Sequence, residues 1–143
     1  MQRGKTLIRA VTAVLLTGAV GLASPAPASA VTDGGPPGPF NHSCFGYVGT
    51  FKGGSSIRSA DWNKDGRTDE CFGIAPGRTI WHAWPNSGGW KQMPNNGRAD
   101  EVVTSFKNSR GQHEVTVRVF DADGHEYCST LTSSWQPWVH CIA

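Results

Sequence analysis

The sequence predicts an all-β fold: a small, disulfide-stapled domain of short antiparallel strands. Three observations carry this. No stretch repeats its apolar residues with the 3.6-residue period of a packed helix. Aromatic and β-branched runs alternate with clusters of Gly, Pro, Asn and Asp, the usual punctuation of hairpins. Four cysteines, Cys44, Cys71, Cys128 and Cys141, give the even count from which a small exported domain builds covalent staples.

Residues 1–30 read as a secretory signal peptide. Arg3, Lys5 and Arg9 lead into the apolar run Ala10 to Leu22, and Ala28-Ser29-Ala30 fits an A-x-A cleavage site. The run is too short and wrongly flanked for a membrane span, and no other segment approaches the roughly 18 apolar residues that one needs. Residues 31–39, VTDGGPPGP, form a Pro/Gly-rich flexible tail. Residues 40–143 are expected to be one β domain.

Within that domain, Phe45 to Phe51 reads as a strand that breaks at Lys52-Gly53-Gly54-Ser55. After the polar loop Asp61 to Asp69, the runs Cys71–Ala75 and Thr79–Trp84 flank Pro76-Gly77-Arg78 as a hairpin. Pro85 to Gly89 is a turn cluster, and Glu101 to Phe106 a further strand. His113 to Phe120 alternates, with Val115, Val117 and Val119 on one face and Thr116, Arg118 and Phe120 on the other. Asp121-Ala122-Asp123-Gly124 turns this strand into His125–Leu131, and Trp135–Ile142 closes the chain. Asn41-His42-Ser43 matches a glycosylation sequon, a short and unspecific motif. A faint internal repeat sets Gly77-Arg78-Thr79-Ile80 against Gly124-His125-Glu126-Tyr127, with Trp90 and Trp135 trailing. One hairpin and one tryptophan per unit is a blade-like period, so the domain is either a sandwich or two propeller-type blades.

Charge narrows the function. Without the leader the chain keeps ten of its thirteen basic residues and all eleven acidic ones, a balance of about −1. That leaves no basic excess for general nucleic-acid binding. The cysteines allow three pairings. Cys44–Cys71 and Cys128–Cys141 are favoured because each joins nearby segments. Zinc is the competing reading, but there is no C-x-x-C pair.

The loop Asp61-Trp62-Asn63-Lys64-Asp65-Gly66-Arg67-Thr68-Asp69 is the most informative motif. Oxygen side chains fall at positions 1, 3, 5 and 9, and glycine at position 6 permits a sharp turn. Alternate side chains then converge on one point, as a hard cation requires. Calcium is therefore expected on Asp61, Asn63, Asp65 and Asp69, with the Arg67 carbonyl. The competing reading is a polar turn, since Asn, Asp and Gly are frequent turn residues. An EF-hand fits less well, because position 12 is Phe72 and a strand follows.

Phe45-Gly46, the loop Asp61 to Asp69, and Gly73-Ile74-Ala75-Pro76 together resemble one FG-GAP repeat, the calcium-loop blade of integrin-like and bacterial secreted propellers. The resemblance spans roughly Phe45 to Trp90 and implies a calcium ion on the loop oxygens just named. It departs from the family at Glu70, where a hydrophobic residue usually follows the last loop acid, and at Ile74, which interrupts the Gly-Ala-Pro motif. The second half, Val115 through Trp138, is distantly similar to a blade of the sugar-binding propeller lectins. That similarity is topological, with no specific binding motif carried over. A full propeller needs more blades than this chain supplies, so the domain is either an open sandwich or one of several short chains assembled into a ring, a homo-oligomer.

Six tryptophans stand in this short chain. Indole faces stack on sugar rings, although large aromatics serve packing first. Trp81, beside Ile80, is expected in the core. Trp84, Trp90 and Trp138 lie near turns or the chain end and are the candidate ligand platforms, with His82 sharing a strand face with Trp84. The histidines form no H-E-x-x-H pair and no G-x-S-x-G is present; Asp100-Glu101 and the group Asp121, Asp123 and Glu126 offer carboxylates, but turns account for the latter group. Catalysis is therefore not expected. The expected function is a secreted, calcium-binding, non-catalytic carbohydrate-binding domain. The alternatives are a secreted protein-binding domain, such as a hydrolase inhibitor, or a structural cell-envelope protein.

Overall fold

The computed structural model describes residues 37–141, and every regular element in it is a β-strand. The expected leader, residues 31–36 of the tail and the last two residues lie outside the described residues. Among the described residues no helix is long and apolar enough to cross a membrane.

The first hairpin begins earlier than the apolar pattern suggests. Strand β1 (Phe40–Cys44) pairs with β2 (Tyr47–Phe51), with Cys44 opposite Tyr47. Phe45 and Gly46, expected to open a strand, are instead the two turn residues, at φ 54° and 81°. A two-residue hairpin of the favoured twist needs left-handed backbone at both positions. Gly46 adopts it freely. Phe45 does so against its Cβ, which is why the sequence there does not look like a turn.

Two four-stranded antiparallel meanders follow. The first consists of β3 (Arg58–Ala60), β4 (Glu70–Ile74), β5 (Ile80–Ala83) and β6 (Lys91–Gln92), neighbours in chain order. The second consists of β7 (Glu101–Lys107), β8 (His113–Arg118), β9 (Glu126–Thr130) and β10 (Val139–His140), likewise in order. This is the expected all-β architecture of short antiparallel strands, blade- or sandwich-like. Residues 77–80 and 124–127 occupy the same place in each meander, the turn into the third strand. A register shift between Val102 and Thr104 lets β7 put Val102 into the core opposite Val117.

The core joins the facing surfaces of the two meanders. Phe72, Ile74 and Ile80 of the first meet Val102, Val115 and Val117 of the second, all essentially inaccessible to water. Burying each such side chain contributes about 1.5–3 kcal/mol. Every residue of β4 is buried, a pattern that alternation does not predict. Its other face is covered by the β1–β2 hairpin: Phe51 lies over Gly73, where a Cβ would come within 2.5 Å of the Phe51 ring. A strand covered on both faces reads as one continuous buried run. In β8, Val115 and Val117 are buried as the alternation predicts, but Thr116 on the opposite face is buried too, with its hydroxyl 3.4 Å from Cys128 Sγ.

Disulfides tie this arrangement. Cys44–Cys71 fastens the hairpin to β4, and Cys128–Cys141 fastens β9 to the chain leaving β10. Closing loops of this length contributes on the order of 2–4 kcal/mol each.

Candidate functional site

The Asp61–Asp69 loop connects β3 to β4 and is closed by the Asp69 amide donating to the Ala60 carbonyl at 2.7 Å. Its oxygens face loop amides. Asp61 accepts from the amides of Asp65 (3.1 Å) and Gly66 (2.7 Å), Asn63 from that of Asp65 (3.0 Å), and Asp65 from that of Arg67 (2.9 Å). Asp69 Oδ2 accepts from the Trp62 amide at 2.7 Å. Lys64 at φ 62° and Gly66 at φ 84° make the sharp turn possible. Among the described residues no three His, Cys, Asp or Glu side chains are gathered into a ready ligand cluster. The donor set nonetheless fits a hard cation. It is three carboxylates, one amide oxygen and one carbonyl, and each carboxylate oxygen that accepts one amide keeps a further lone pair.

The loop's second residue turns inward. Trp62 is buried, and its indole N–H donates to Glu70 Oε2 at 3.1 Å. The other oxygen of Glu70 meets His82 Nδ1 at 2.6 Å. A carboxylate accepts at both oxygens, so the ring nitrogen carries the proton that is shared, and His82 is thereby fixed in orientation. Trp62 also stacks flat on His113, with ring centroids 4.1 Å apart and planes 7° from parallel. Burial pushes the His113 imidazole below its ordinary pKa; the Lys107 ammonium adds to this, against the opposing pull of Glu70 and Asp69. The neutral form leaves His113 Nδ1 buried without a partner.

These groups line one cavity of about 410 Å³ between the two meanders, with Trp84, Leu131 and Trp135 completing the wall. Trp84 stands at the mouth, 38% exposed, its ring 4.8 Å from that of His82. The site is thus an aromatic pocket with a buried carboxylate–imidazole pair in its wall, both carboxylate oxygens of which are hydrogen-bonded.

The structure brings His82 and Trp84 together and sends the other two candidate platforms elsewhere. Trp90 packs edge-on against Phe51 at 4.6 Å and donates to the Tyr47 carbonyl at 2.9 Å, so it holds the first hairpin in place. Trp138 lines a separate cavity with Arg78 and Arg98. Trp81, expected in the core, is half-buried on the opposite face of β5 from Ile80, its N–H on Thr79 Oγ1 at 2.8 Å. Sequence reasoning missed Trp62, Glu70, His113 and Trp135 as pocket residues. One signal did point there: Glu70 is a charged residue where the loop motif ordinarily continues into apolar strand.

Compared with protein-family models, with curated proteins and with solved structures, the chain matches none of them. The functional reading therefore rests on the site itself.

Proposed function

We propose that this chain is a secreted, calcium-stabilised, non-catalytic carbohydrate-binding domain, and that the sugar occupies the aromatic cavity between the two meanders. The observation that carries the reading is the partly exposed Trp84 face beside His82, at the mouth of a pocket walled by Trp62 and Trp135. Indole faces contribute large contact area at low entropy cost, and a few fixed polar groups give orientation. Asp69 and His82, both lining the cavity, are the polar side chains available to sugar hydroxyls.

The same geometry argues against hydrolysis. Both Glu70 oxygens are already engaged by Trp62 and His82, so this carboxylate orients its neighbours instead of serving as a free acid opposite a second one. Calcium on Asp61, Asn63, Asp65, Asp69 and the Arg67 carbonyl would draw charge out of an acid-rich loop whose residues 62 and 69 border the pocket. It would act as a structural cation, in the manner of the FG-GAP blades that the loop resembles. The disulfides suit an oxidising compartment, as export requires.

The test is a glycan array with the disulfide-intact protein in calcium, followed by the Trp84→Ala variant. Binding that Trp84→Ala abolishes, with the far-ultraviolet circular dichroism unchanged, is the expected result. A blank array, or binding that survives Trp84→Ala, removes this reading and favours the protein-binding alternative.

A further inference from the structure

A second cavity, of about 350 Å³, opens between the two meanders at the other end of the β4–β5 hairpin. It differs in chemistry from the first. Two arginines, Arg78 and Arg98, line it, together with the amide side chains of Asn95 and Asn96 and the rings of Tyr127 and Trp138. No carboxylate is among its lining residues.

The positive charge there is only partly answered. Asp100 lies behind the wall and serves two cations at once, Arg78 Nη2 at 2.9 Å and Lys52 Nζ at 3.6 Å, while also accepting from the Phe120 amide. Arg98 has no acidic partner among the described residues; its Nη1 donates to the Gly77 carbonyl at 2.7 Å. Its other guanidinium donors make no hydrogen bond among the described residues.

Hydrogen bonding points the same way. Three buried side-chain nitrogens among the described residues lack a partner, and two of them, Arg78 Nε and Trp138 Nε1, belong to residues lining this one cavity. Buried polar groups in folded proteins are almost always paired, so two unpaired donors leave this wall short of acceptors; both atoms are themselves shielded, and Trp138 Nε1 lies against Gly97. Gly97 helps hold the arrangement, since a Cβ there would collide with the Trp138 indole nitrogen.

A cationic cavity with a planar guanidinium fork and aromatic walls suits a carboxylate carried on a ring. We propose that this second cavity binds the carboxylate-bearing ring of an acidic saccharide, a uronic acid residue. Arg78 and Arg98 would take the acid group, and Trp138 and Tyr127 the face of the ring. The inference rests on the carbohydrate reading for the ring and on this cavity alone for the charge.

Calorimetric titration with tri-galacturonate and with its neutral methyl ester tests it. The acid form should bind at least tenfold more tightly than the ester and weaken as salt is added. Arg98→Gln, an exposed position where folding is not at stake, should weaken acid binding about tenfold or more. Trp138→Phe, which keeps a ring and removes the N–H, should weaken it less. Trp84→Ala, in the other cavity, should leave acid binding unchanged. Equal affinity for acid and ester, no binding of the acid at millimolar concentration, insensitivity to Arg98→Gln, or loss on Trp84→Ala would each overturn the second site. Neutral-glycan binding that depends on Trp84 is a separate result, so the first site stands or falls independently.

Discussion

Removing the Glu70 carboxylate should destabilise the fold far more than its position at a loop edge suggests. Glu70 is 7% exposed and accepts from two donors that have no other partner, the Trp62 indole and the His82 ring. In Glu70→Ala both donors stay buried and unpaired. At about 1–3 kcal/mol for each stranded group, the expected loss is about 2–6 kcal/mol. Glu70→Gln is the discriminating control. Its carbonyl can still accept from Trp62, and its amide can donate to His82 Nδ1 once the imidazole takes the other tautomer, so the cost falls to about 1 kcal/mol. The double variant Glu70→Leu/His82→Leu should lose less than the sum of its two single variants, since removing both members of a buried pair avoids an uncompensated charge. The assay is urea unfolding followed by tryptophan fluorescence, at fixed calcium and with disulfides intact, comparing midpoints at constant slope. A Glu70→Ala variant within about 0.5 kcal/mol of the parent would behave like a surface change. It would refute the claim that this carboxylate organises the cavity wall.

Other outcomes follow from the same structure. Calcium should raise the melting temperature by mass action, about 2.7 kcal/mol of stabilisation at a hundredfold excess over the dissociation constant, and Asp65→Ala should abolish the shift; a melting curve indifferent to millimolar calcium would remove the ion. Gly73→Ala forces a methyl group into the Phe51 ring and Ile57, so it should cost about 1–3 kcal/mol by overpacking, and a neutral result would mean that the hairpin does not lie on β4 as described. The Asp121–His125 pair should make stability depend on pH in two windows. The His125 hydrogen bond, helped by amides of the same turn, holds Asp121 down at about 2, so its contribution is present above the ordinary carboxylate range and lost as pH falls toward 2. The hydrogen bond and charge of Asp121 raise His125, so that contribution is full below about 6.5 and lost as pH rises through the folded value. An NMR titration of His125 checks this: Asp121→Asn should lower its midpoint, and an unchanged midpoint would dismiss the pair.

How far the fold can be read from sequence varies by element, for physical reasons. The long, alternating β8 was legible because half-buried strands write their faces into the chain; Val115 and Val117 stand where the period of two puts them. The turns at Pro76–Arg78, Pro85–Gly89 and Asp121–Gly124 were legible from their Gly, Asn, Pro and Asp residues. Strands β3 and β6, of three and two residues, are too short to carry any pattern. Strand β1, FNHSC, is mostly exposed and polar, so only its pairing with β2 makes it a strand. In the site, His82 and Trp84 were legible together because alternate residues share a strand face. Trp62 reaches them through Glu70 of the neighbouring strand, and His113 and Trp135 through contacts between the two meanders; such non-local packing leaves no mark on local spacing. Trp90 and Trp138 look alike in sequence, each near a turn. What separates them from Trp84 is which cavity or hairpin the fold sets beside them.

The most direct test of the central claim is to follow the six tryptophan indole N–H signals by NMR while titrating a neutral oligosaccharide selected on the array. Sugar in the aromatic cavity should shift the Trp62 and Trp84 signals and leave Trp90, locked on the Tyr47 carbonyl, where it was. Shifts confined to Trp90, or no shift with any glycan that binds, would contradict the account.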